Sequence, residues 1–222
     1  MHTFLAVITL FMPWAIKRRV MSSLMGYNLA PSSWIGFSIV LVKNATLEEG
    51  AKIGHFTIIR NLERLVIGKY ASIGKFNWIS GLLRSNGPQR YVEEAERRSD
   101  LIIGEHSAIT YRHIIDCTNT VSIGGFSTIA GHRSQIITHG IDIYTNRQTS
   151  APIKIGAYCI IGTGCILLKG SSIADRILVG AGSVINSDLT ESNSLYAGVP
   201  AVKKKSLDPK SGYFNRSVGV VG

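Results

Sequence analysis

Aliphatic side chains recur every six residues along most of this chain. In the carboxy-terminal half the run has no gap: Ile155, Ile161, Leu167, Ile173, Val179 and Ile185. A period of six fits neither a helix, which repeats at about 3.6 residues, nor a flat strand, which repeats at about two. It fits a coil of three short strands whose aliphatic side chains point into a triangular prism and whose small residues allow tight corners. Three hexads complete one coil, so Ile155 should stack on Ile173 and Ile161 on Val179.

The same repeat occurs in three series upstream, so the pattern predicts a parallel β-helix over most of the chain. Residues two positions before the aliphatic ones are usually small, which predicts that Cys159, Cys165, Ser171 and Ser183 are buried at the corners. The upstream series are Leu41, Leu47, Ile53 and Ile59; Ile67, Ile73 and Ile79; and Ile103, Ile109, Ile115 and Val121, after which the phase slips by two to Ile123 and Ile129.

The hexads lead into the sequences GAGSVI and LYAGVPA, within residues 153–201. Together they resemble the hexapeptide-repeat acyltransferases, in the branch that contains maltose and galactoside O-acetyltransferases and enzymes that acetylate bacterial surface polysaccharides. The resemblance covers about Leu41 to Ile185. It implies an all-β fold, a left-handed parallel β-helix of hexapeptide repeats with a short helical amino-terminal segment and two loop excursions. Physics alone would favour right-handed crossovers, so the left hand comes from the resemblance.

The pattern divides the chain into three regions. We expect a helical cap of apolar and basic residues at 1–34 and the β-helix acyltransferase domain at 35–190, with excursions at 81–100 and 140–152. A loop that covers coenzyme A (CoA) and a mobile polar tail are expected at 191–222. In the first excursion, Gly87-Pro88 indicates a turn and Tyr91–Arg98 a short helix with Glu–Arg pairs.

The amino-terminal segment has two compatible interpretations. In one it caps the open end of the β-helix, which every solenoid must cover. In the other it lies on a membrane surface. The uncharged run at 4–16 is shorter than the roughly 20 residues that span a bilayer, and no cleavage site of a secretory signal follows it. The interfacial side chains would be Phe4, Leu5, Ile8, Phe11 and Trp14, and the headgroup contacts Lys17, Arg18 and Arg19.

The formal net charge of +10 raises the question of an anionic partner. The basic residues are scattered and no motif of an RNA-binding module is present, so a CoA thioester or an anionic membrane surface fits better than nucleic acid. Three cysteines are too few for a disulfide framework. We expect buried free thiols at Cys159 and Cys165, with a nucleophilic Cys117 as the lesser alternative, and a cytoplasmic or other reducing compartment.

Acyl transfer from a thioester to a hydroxyl needs a base near neutral pH, and histidine suits this role. His139, in IITHG at the edge of the second excursion, lies where the resembled family keeps its catalytic histidine; alternatively it only marks a strand end. The family's acceptor-binding Asn has no equivalent here, and His113 or Asn119 would substitute for it. His113 is therefore the second catalytic candidate. Weaker candidates for contacts to sugar hydroxyls or an anionic group are Arg112, Asp116, His132 and Arg133.

The resemblance also implies a donor site, residue by residue. Gly162 and Thr163 match the backbone beside the pantetheine arm, and Ala181 matches a small residue next to the same arm. Asn186 lies where the family contacts the adenine. Gly198, Pro200 and Ala201 match the loop that covers the adenine, and Lys203, Lys204 and Lys205 would pair with the 3′-phosphate or simply form a solvated tail.

The sequence and the resemblance together predict an acetyl-CoA-dependent O-acetyltransferase that acts on a sugar hydroxyl of a surface polysaccharide or glycan precursor. The resemblance implies a homotrimer with active sites between subunits, in the cytoplasm or at the inner face of the membrane. No metal is expected, because His132 and His139 lack the spacing of the zinc-binding pair in related carbonic anhydrases. The alternatives are an N-acetyltransferase acting on an amino-sugar nucleotide and a non-catalytic β-helix scaffold.

Overall fold

The chain winds around a triangular prism whose three faces are parallel β-sheets. The structure is a computed structural model that describes residues 7–86, 91 and 93–219. Two faces have seven strands each, and the third has nine because two further strands extend it. We call the faces A, B and C in the order in which the chain passes through them in each coil, and the edges between them AB, BC and CA.

The strands follow one another in a fixed cycle of faces. The first coils contain β1 (Asn28–Leu29), β2 (Trp34–Ile35), β3 (Ile39–Leu41), β4 (Asn44–Leu47), β5 (Lys52–Ile53), β6 (Ile58–Arg60), β7 (Arg64–Ile67), β8 (Ser72–Ile73) and β9 (Trp78–Gly81). The middle coils contain β10 (Asp100–Ile103), β11 (Ala108–Tyr111), β12 (Ile114–Cys117), β13 (Val121–Ile123), β14 (Thr128–His132) and β15 (Gln135–Ile137), and a hairpin of β16 (His139–Asp142) and β17 (Arg147–Ser150) follows. The last coils contain β18 (Ile153–Ile155), β19 (Ile160–Ile161), β20 (Ile166–Leu168), β21 (Ser172–Ile173), β22 (Ile177–Val179) and β23 (Val184–Ile185), then β24 (Ser194–Ala197) and β25 (Val202–Ser206).

Each face stacks one strand from every coil. Face A has the order β1-β4-β7-β10-β13-β18-β21, face B the order β2-β5-β8-β11-β14-β19-β22-β24-β25, and face C the order β3-β6-β9-β12-β15-β20-β23. The predicted stacking is confirmed, since Ile155 pairs with Ile173 and Ile161 with Val179. The aliphatic side chains fill the prism, and the four small residues predicted at corners are all buried.

The phase of the hexads changes between β12 and β13. Val121 and Ile123 both point into the core from β13, but it is Ile123 that pairs with Ile103, so two extra residues in the connection after Ile115 cause the slip of two. One predicted core position is wrong. Val40 rather than Leu41 points inward and pairs with Ile59, because the chain spends one extra residue between β3 and β4.

The amino-terminal segment contains a 3-10 turn at Thr9–Phe11 and one α-helix, α1 (Trp14–Met25), packed on the open end of the first coil. Met21 and Met25 join the core. The Lys17 ammonium donates hydrogen bonds to the carbonyls of Gly36 (2.7 Å) and Ser38 (3.2 Å). In later coils the equivalent carbonyls accept from the preceding coil, which the first coil lacks. Lys17 is only 1% exposed, so its predicted contact with lipid headgroups is wrong. Phe4 and Leu5 lie outside the described residues.

The first excursion is held by its own charged residues. The predicted helix at Tyr91–Arg98 is wrong: its described residues form turns, and only a 3-10 turn at Arg84–Asn86 precedes them. Arg97 is buried, and its guanidinium donates to the carbonyls of Leu82 (2.7 Å) and Thr118 (2.6 Å). Because these contacts anchor Arg97, it does not form the predicted helical pair with Glu93. The Gly87-Pro88 turn lies outside the described residues.

The carboxy-terminal tail packs along edge AB, contrary to the expected mobility of this polar segment. Phe214 is buried, and the Arg216 guanidinium lies 3.7 Å from the centre of the Tyr213 ring. Arg216 also lies over the rings of Phe126 and Tyr158, which stack on each other 4.8 Å apart at edge AB. Aromatic and cationic side chains in an otherwise polar sequence therefore hold the tail in place.

Candidate active site

His139 lies at edge CA, where the chain leaves face C to form the hairpin. β15 ends at Ile137, which pairs in register with Asp116 on β12. The Nδ1 atom of His139 lies 2.8 Å from Oδ2 of Asp116. The imidazole side chain is 42% exposed and the carboxylate only 14%. A buried carboxylate on Nδ1 fixes the proton there and leaves Nε2 as the basic nitrogen, directed away from Asp116.

The carboxylate of Asp116 accepts hydrogen bonds on both oxygens. Oδ1 accepts from the backbone N–H (3.0 Å) and hydroxyl (2.7 Å) of Thr118, and Oδ2 accepts from the backbone N–H (2.9 Å) and hydroxyl (2.7 Å) of Thr138 as well as from His139. Burial raises the pKa of Asp116, but the hydrogen bonds from His139, Thr118 and Thr138 outweigh it and hold the pKa below its usual value. Asp116 is therefore ionised at neutral pH.

The hairpin that begins at His139 is tied to the first excursion. Ser150 pairs with His139 across the hairpin, and its backbone N–H and hydroxyl donate to the Glu94 carboxylate. Arg147 of the same hairpin forms an ion pair with Glu93. The two excursions thus form one wall beside His139.

The second catalytic candidate, His113, does not join His139. It lies at edge BC, at the opposite end of β12, and is only 1% exposed. Its Nε2 is 3.0 Å from the Thr110 hydroxyl, and its Nδ1 accepts from the backbone N–H of Ser134 (3.1 Å). Burial, together with the nearby His132, lowers the pKa of His113 to about 4. These contacts give His113 the role of a neutral structural residue that joins two coils, and we correct the prediction on this ground.

Gly162, Thr163 and Ala181, the residues predicted beside the pantetheine arm, fall on two consecutive coils of edge BC. Thr163 and Ala181 are exposed, and Gly164 and Gly182 beside them have positive φ and open space where a Cβ would lie. Gly162 has a different reason to be glycine. A Cβ there would lie 2.7 Å from the backbone nitrogen of Ala181, so the stacking of the coils requires the glycine. The result is an uncrowded strip of small residues along the edge.

The far end of this strip meets the loop before β25. Pro200 is exposed, Gly198 has φ of +113°, and Ala201 is buried. Asn186, predicted to contact the adenine, is exposed but follows β23 at edge CA, on the other side of face C from the strip. Among the lysines, Lys203 forms an ion pair with Glu191, whereas Lys204 Nζ comes within 4.0 Å of where a Cβ on Gly198 would lie. Lys204 is the extra residue where the register between β24 and β25 shifts, since Leu195 pairs with Lys205 and Tyr196 with Lys203. Of the three lysines named from the sequence, Lys204 is therefore the one that the structure places beside the loop at Gly198.

The predicted acceptor residues separate into two groups. Arg112, His132 and Arg133 are exposed at edge BC, next to the strip. The backbone of His132 is bonded to the Thr163 hydroxyl in both directions, at 2.9 Å each. Asn119 lies at edge CA, where its amide donates to Ser150 (3.0 Å) and its backbone N–H to Thr138 (2.9 Å). Asn119 therefore supports the hairpin.

Within a single chain, His139 and the strip of small residues at edge BC lie far apart. The strip adjoins His132, and His139 lies seven residues further along the extended chain of face C. At about 3.3 Å per residue this is roughly 20 Å. The two groups lie on different edges of the prism, on either side of face C.

Sequence reasoning missed the role of Asp116, which it assigned only a weak acceptor contact. A coil of 18 residues would place Asp116 beside Ser134, yet its partner in register is Ile137. The signal was the phase slip after Val121, which shows that the middle coils are longer than the last ones.

The described residues offer neither a metal site nor a helix that spans a membrane. Within 7–86, 91 and 93–219, no group of three or more His, Cys, Asp or Glu side chains is placed to hold a metal ion. No helix in these residues is long and apolar enough to cross a membrane. All three cysteines are buried free thiols, as predicted for Cys159 and Cys165, and burial raises the pKa of Cys117.

Comparison with known proteins identifies similar chains. Galactoside O-acetyltransferase of Escherichia coli (strain K12) is 25% identical over 164 residues, which cover 72% of this chain and 75% of that protein. A maltose O-acetyltransferase from Clostridium difficile 630 has a similar structure, with a TM-score of 0.51 and 24% identity over 64% of this chain and 69% of that one. No protein-family model matches the chain.

A third similar structure is an N-acyltransferase from Bacillus cereus, solved with dTDP-4-amino-4,6-dideoxyglucose and coenzyme A. Its TM-score is 0.52 and its identity 19%, over 77% of this chain and 84% of that one. The comparisons confirm the left-handed β-helix and the resemblance to hexapeptide-repeat acyltransferases predicted from the sequence. They also confirm the predicted class of enzyme, an acyltransferase.

Proposed function

We propose that this hexapeptide-repeat acyltransferase transfers the acetyl group of acetyl-CoA to a hydroxyl of a surface polysaccharide or glycan precursor, with His139 as the general base. The observation that carries the proposal is the contact of His139 Nδ1 with the ionised Asp116, because it directs a basic Nε2 toward solvent at the hairpin wall. The similarity to sugar O-acetyltransferases supports the hydroxyl acceptor.

The reaction needs one proton transfer on the enzyme. His139 Nε2 takes the proton of the acceptor hydroxyl as its oxygen bonds to the thioester carbonyl carbon. The carbon–sulfur bond then breaks, and the imidazolium returns the proton to the leaving thiolate, so no covalent enzyme intermediate is required. Asp116 stabilises the imidazolium and holds the ring in one orientation, because its carboxylate is itself fixed by Thr118 and Thr138.

The donor fits the strip on edge BC. Thr163, Gly164, Ala181 and Gly182 leave the room that a narrow pantetheine arm requires, as the open space at the two glycines shows. At the end of the strip, Lys204 near Gly198 offers a cation for the 3′-phosphate.

The distance across face C supports a homotrimer. A donor strip and a base about 20 Å apart on one chain can meet only if edge BC of one subunit packs beside edge CA of another. Face C has the apolar surface for this. Trp78 and Ile114 are neighbours on it, 42% and 48% exposed, and Leu168 is 36% exposed. Three prisms that turn face C toward a common axis would cover these side chains and join the two edges.

A mixing experiment tests this arrangement. Subunits with His139→Ala and subunits with Ala181→Trp should each be inactive. Because a shared site takes its histidine from one subunit and its strip from the next, co-expression should restore about a quarter of wild-type activity by random assembly. Recovery of no activity, with trimers confirmed by sedimentation, would show that each site is built from one chain.

A second candidate is transfer to an amine of a sugar nucleotide. It is favoured by the similar fold of the N-acyltransferase that was solved with an amino-sugar nucleotide. The products distinguish the two reactions, since an ester is cleaved by mild base and an amide is not. The scaffold alternative predicts no thiol release with any acceptor.

The end of the β-helix supports peripheral membrane contact at the cytoplasmic face. Ile8, Phe11, Ile16 and Leu24 are exposed around α1, with Arg19 exposed beside them. No Asp or Glu precedes Glu48 in the sequence. An apolar surface with only positive charge nearby fits an anionic lipid surface. The predicted part of Lys17 in this contact is not retained.

The decisive assay measures thiol release from acetyl-CoA with a panel of oligosaccharides and nucleotide sugars. His139→Ala should lower kcat by roughly 10²–10⁴-fold with acetyl-CoA binding retained. His106→Ala, which removes an imidazole at edge AB, is the matched control and should leave kcat unchanged. A His139→Ala enzyme with more than a tenth of the wild-type kcat would rule out His139 as the base.

A further inference from the structure

The residues of edge BC change in character along the prism. In the amino-terminal coils they are aromatic: Phe37, Phe56 and Phe76 are all exposed. In the next coils they are cationic, and in the last coils they are the small residues of the donor strip. Each coil places its turn at nearly the same point of the edge, and we call these stacked turn residues the column. Its left-handed positions are Phe56, Phe76, Arg112, Arg133, Gly164 and Gly182 in successive coils, and Lys75 directly precedes Phe76.

The cationic part of the column is formed by Lys75, Arg112 and Arg133 in three consecutive coils, and all three are exposed. Their turns are stacked directly, since the backbone N–H of Arg112 donates to the Lys75 carbonyl and that of Arg133 to the Arg112 carbonyl, both at 3.2 Å. Strands in neighbouring coils lie about 4.8 Å apart. The three cations therefore share a short stretch of the edge, where their like charges favour an anionic ligand.

Edge BC carries no counter-charge of its own. The turn residues at 36–37, 55–56, 75–76, 111–112, 132–133, 163–164, 181–182 and 199–200 include no Asp or Glu. By contrast, edge AB carries Glu49, Glu105 and Asp175 in its turns. Within the described residues, none of the three cations of the column forms an ion pair.

The column lies where the acceptor must approach. In the donor site that the resemblance implies, the adenine end lies at the loop around Gly198, so the arm would run past Ala181 to Thr163 with its thioester toward the earlier coils. Thr163 is bonded to the backbone of His132, the residue before Arg133. The cations therefore begin one coil beyond the thioester, and the aromatic rings lie further along the same edge.

We propose that the acceptor is an anionic carbohydrate, whose carboxylate or phosphate groups bind Lys75, Arg112 and Arg133 while its sugar rings pack on the aromatic part of edge BC. Arginine suits both anions, because its planar guanidinium pairs with two oxygens at once. Phe76 supports this arrangement, since the Arg112 guanidinium lies over its ring at 5.6 Å. The inference rests on the proposed acyl transfer to sugars and adds the charge of the acceptor.

The test compares acceptors that differ only in charge. Thiol release from acetyl-CoA is measured with galacturonic acid oligomers against galactose oligomers, and with glucose 6-phosphate against glucose. We expect kcat/KM to be roughly tenfold or more higher for the charged member of at least one pair, since hydrogen bonds to charged groups are the stronger ones. The first pair reports a carboxylate acceptor and the second a phosphate.

Two variants connect the preference to the column. Arg112→Gln combined with Arg133→Gln should raise KM for the charged acceptor about tenfold and leave KM for acetyl-CoA unchanged. Arg176→Gln is the matched control, because Arg176 has the same left-handed backbone (φ 59°) but lies at edge AB. If the double variant fails to fold, wild-type enzyme tested from about 20 to about 200 mM NaCl should lose affinity for the charged acceptor only.

The outcomes separate the two proposals. Equal or better turnover of the neutral acceptors, or a double variant with unchanged acceptor KM, would overturn the anionic acceptor and leave sugar acetylation standing. Absence of thiol release with every carbohydrate would overturn sugar acetylation itself.

Discussion

Replacement of Asp116 by Asn is the sharpest test of the candidate site. The carboxylate accepts five hydrogen bonds, and all five partners are donors or act as donors there. An amide offers one oxygen and one NH₂ group. If its oxygen stays with Thr138 and His139, its NH₂ faces the backbone N–H of Thr118. If it turns over, the NH₂ faces His139 Nδ1 and forces the proton onto Nε2, where it blocks the basic nitrogen.

The size of the effect follows from the bond that is lost. A hydrogen bond to a charged group contributes about 1.5–3 kcal/mol. At about 1.4 kcal/mol per factor of ten, Asp116→Asn should lower kcat roughly 10- to 150-fold if the bond to His139 acts mainly in the transition state. KM for acetyl-CoA should not change, because the donor strip lies on another edge.

The assay is thiol release in a double-mutant cycle. Asp116→Asn should reduce kcat in the wild-type background and have little effect in a His139→Ala background, because Asp116 acts through the imidazole. An equal reduction in both backgrounds would refute the positioning role and assign the loss to a damaged fold.

Stability provides an independent readout of the same carboxylate. The folded pKa of Asp116 is lowered, so its contribution to stability is present above the unfolded value of about 4 and is lost as the pH falls through the folded pKa. The urea midpoint of wild type should therefore exceed that of Asp116→Asn at pH 7, and the difference should shrink below about pH 4. A constant difference across this range would contradict the ionised, bonded state of Asp116.

Four further predictions concern other parts of the molecule. Ala181→Trp should abolish CoA binding by calorimetry with unchanged circular dichroism; normal affinity would place the donor elsewhere. Burial lowers the pKa of Lys17 to about 8, so the unfolding free energy should rise between about pH 8 and 10.5, by up to about 3 kcal/mol, in wild type but not in Lys17→Met; equal pH profiles would contradict this. Arg216→Ala should cost about 1–2 kcal/mol by urea unfolding and speed hydrogen exchange of the tail; unchanged exchange would refute its anchoring role. Phe11→Asp should reduce co-sedimentation with anionic vesicles at low salt, whereas Leu207→Asp should not; equal binding would exclude the helical end as the contact.

The fold could be predicted because its main physical requirement is periodic. Each short strand must direct an aliphatic side chain into a narrow prism, and the run from Ile155 to Ile185 records this directly. His139 stood out for another reason, since it ends a repeat where the chain leaves the coil, which is where the resembled family keeps its catalytic histidine. Neither argument required knowledge of which residues are neighbours in space.

The partners of these residues could not be predicted, because they depend on coil length. Ile109 pairs with Ile129 and Ile115 with Ile136, so this coil is two or three residues longer than the 18 of the last coils. The extra length shifts the register at edge BC and brings Asp116 beside the start of the hairpin. Lys17 was misassigned for a related reason, since the sequence alone does not show which face of α1 covers the first coil.

The binding residues proposed at the edges cannot be predicted from the hexad period. An inward side chain is constrained by the packing of the prism, whereas a turn residue points to solvent and tolerates many residue types. Phe76, Arg112, Arg133 and Tyr158 all occupy left-handed turns, a backbone that rarely suits a side chain and that the stacked coils impose. The three coils from Lys75 to Arg133 place a cation at edge BC each time, although packing requires none there. Exposed side chains that the packing of the prism does not require are the candidates for binding. On this chain they lie along edge BC, next to the donor strip.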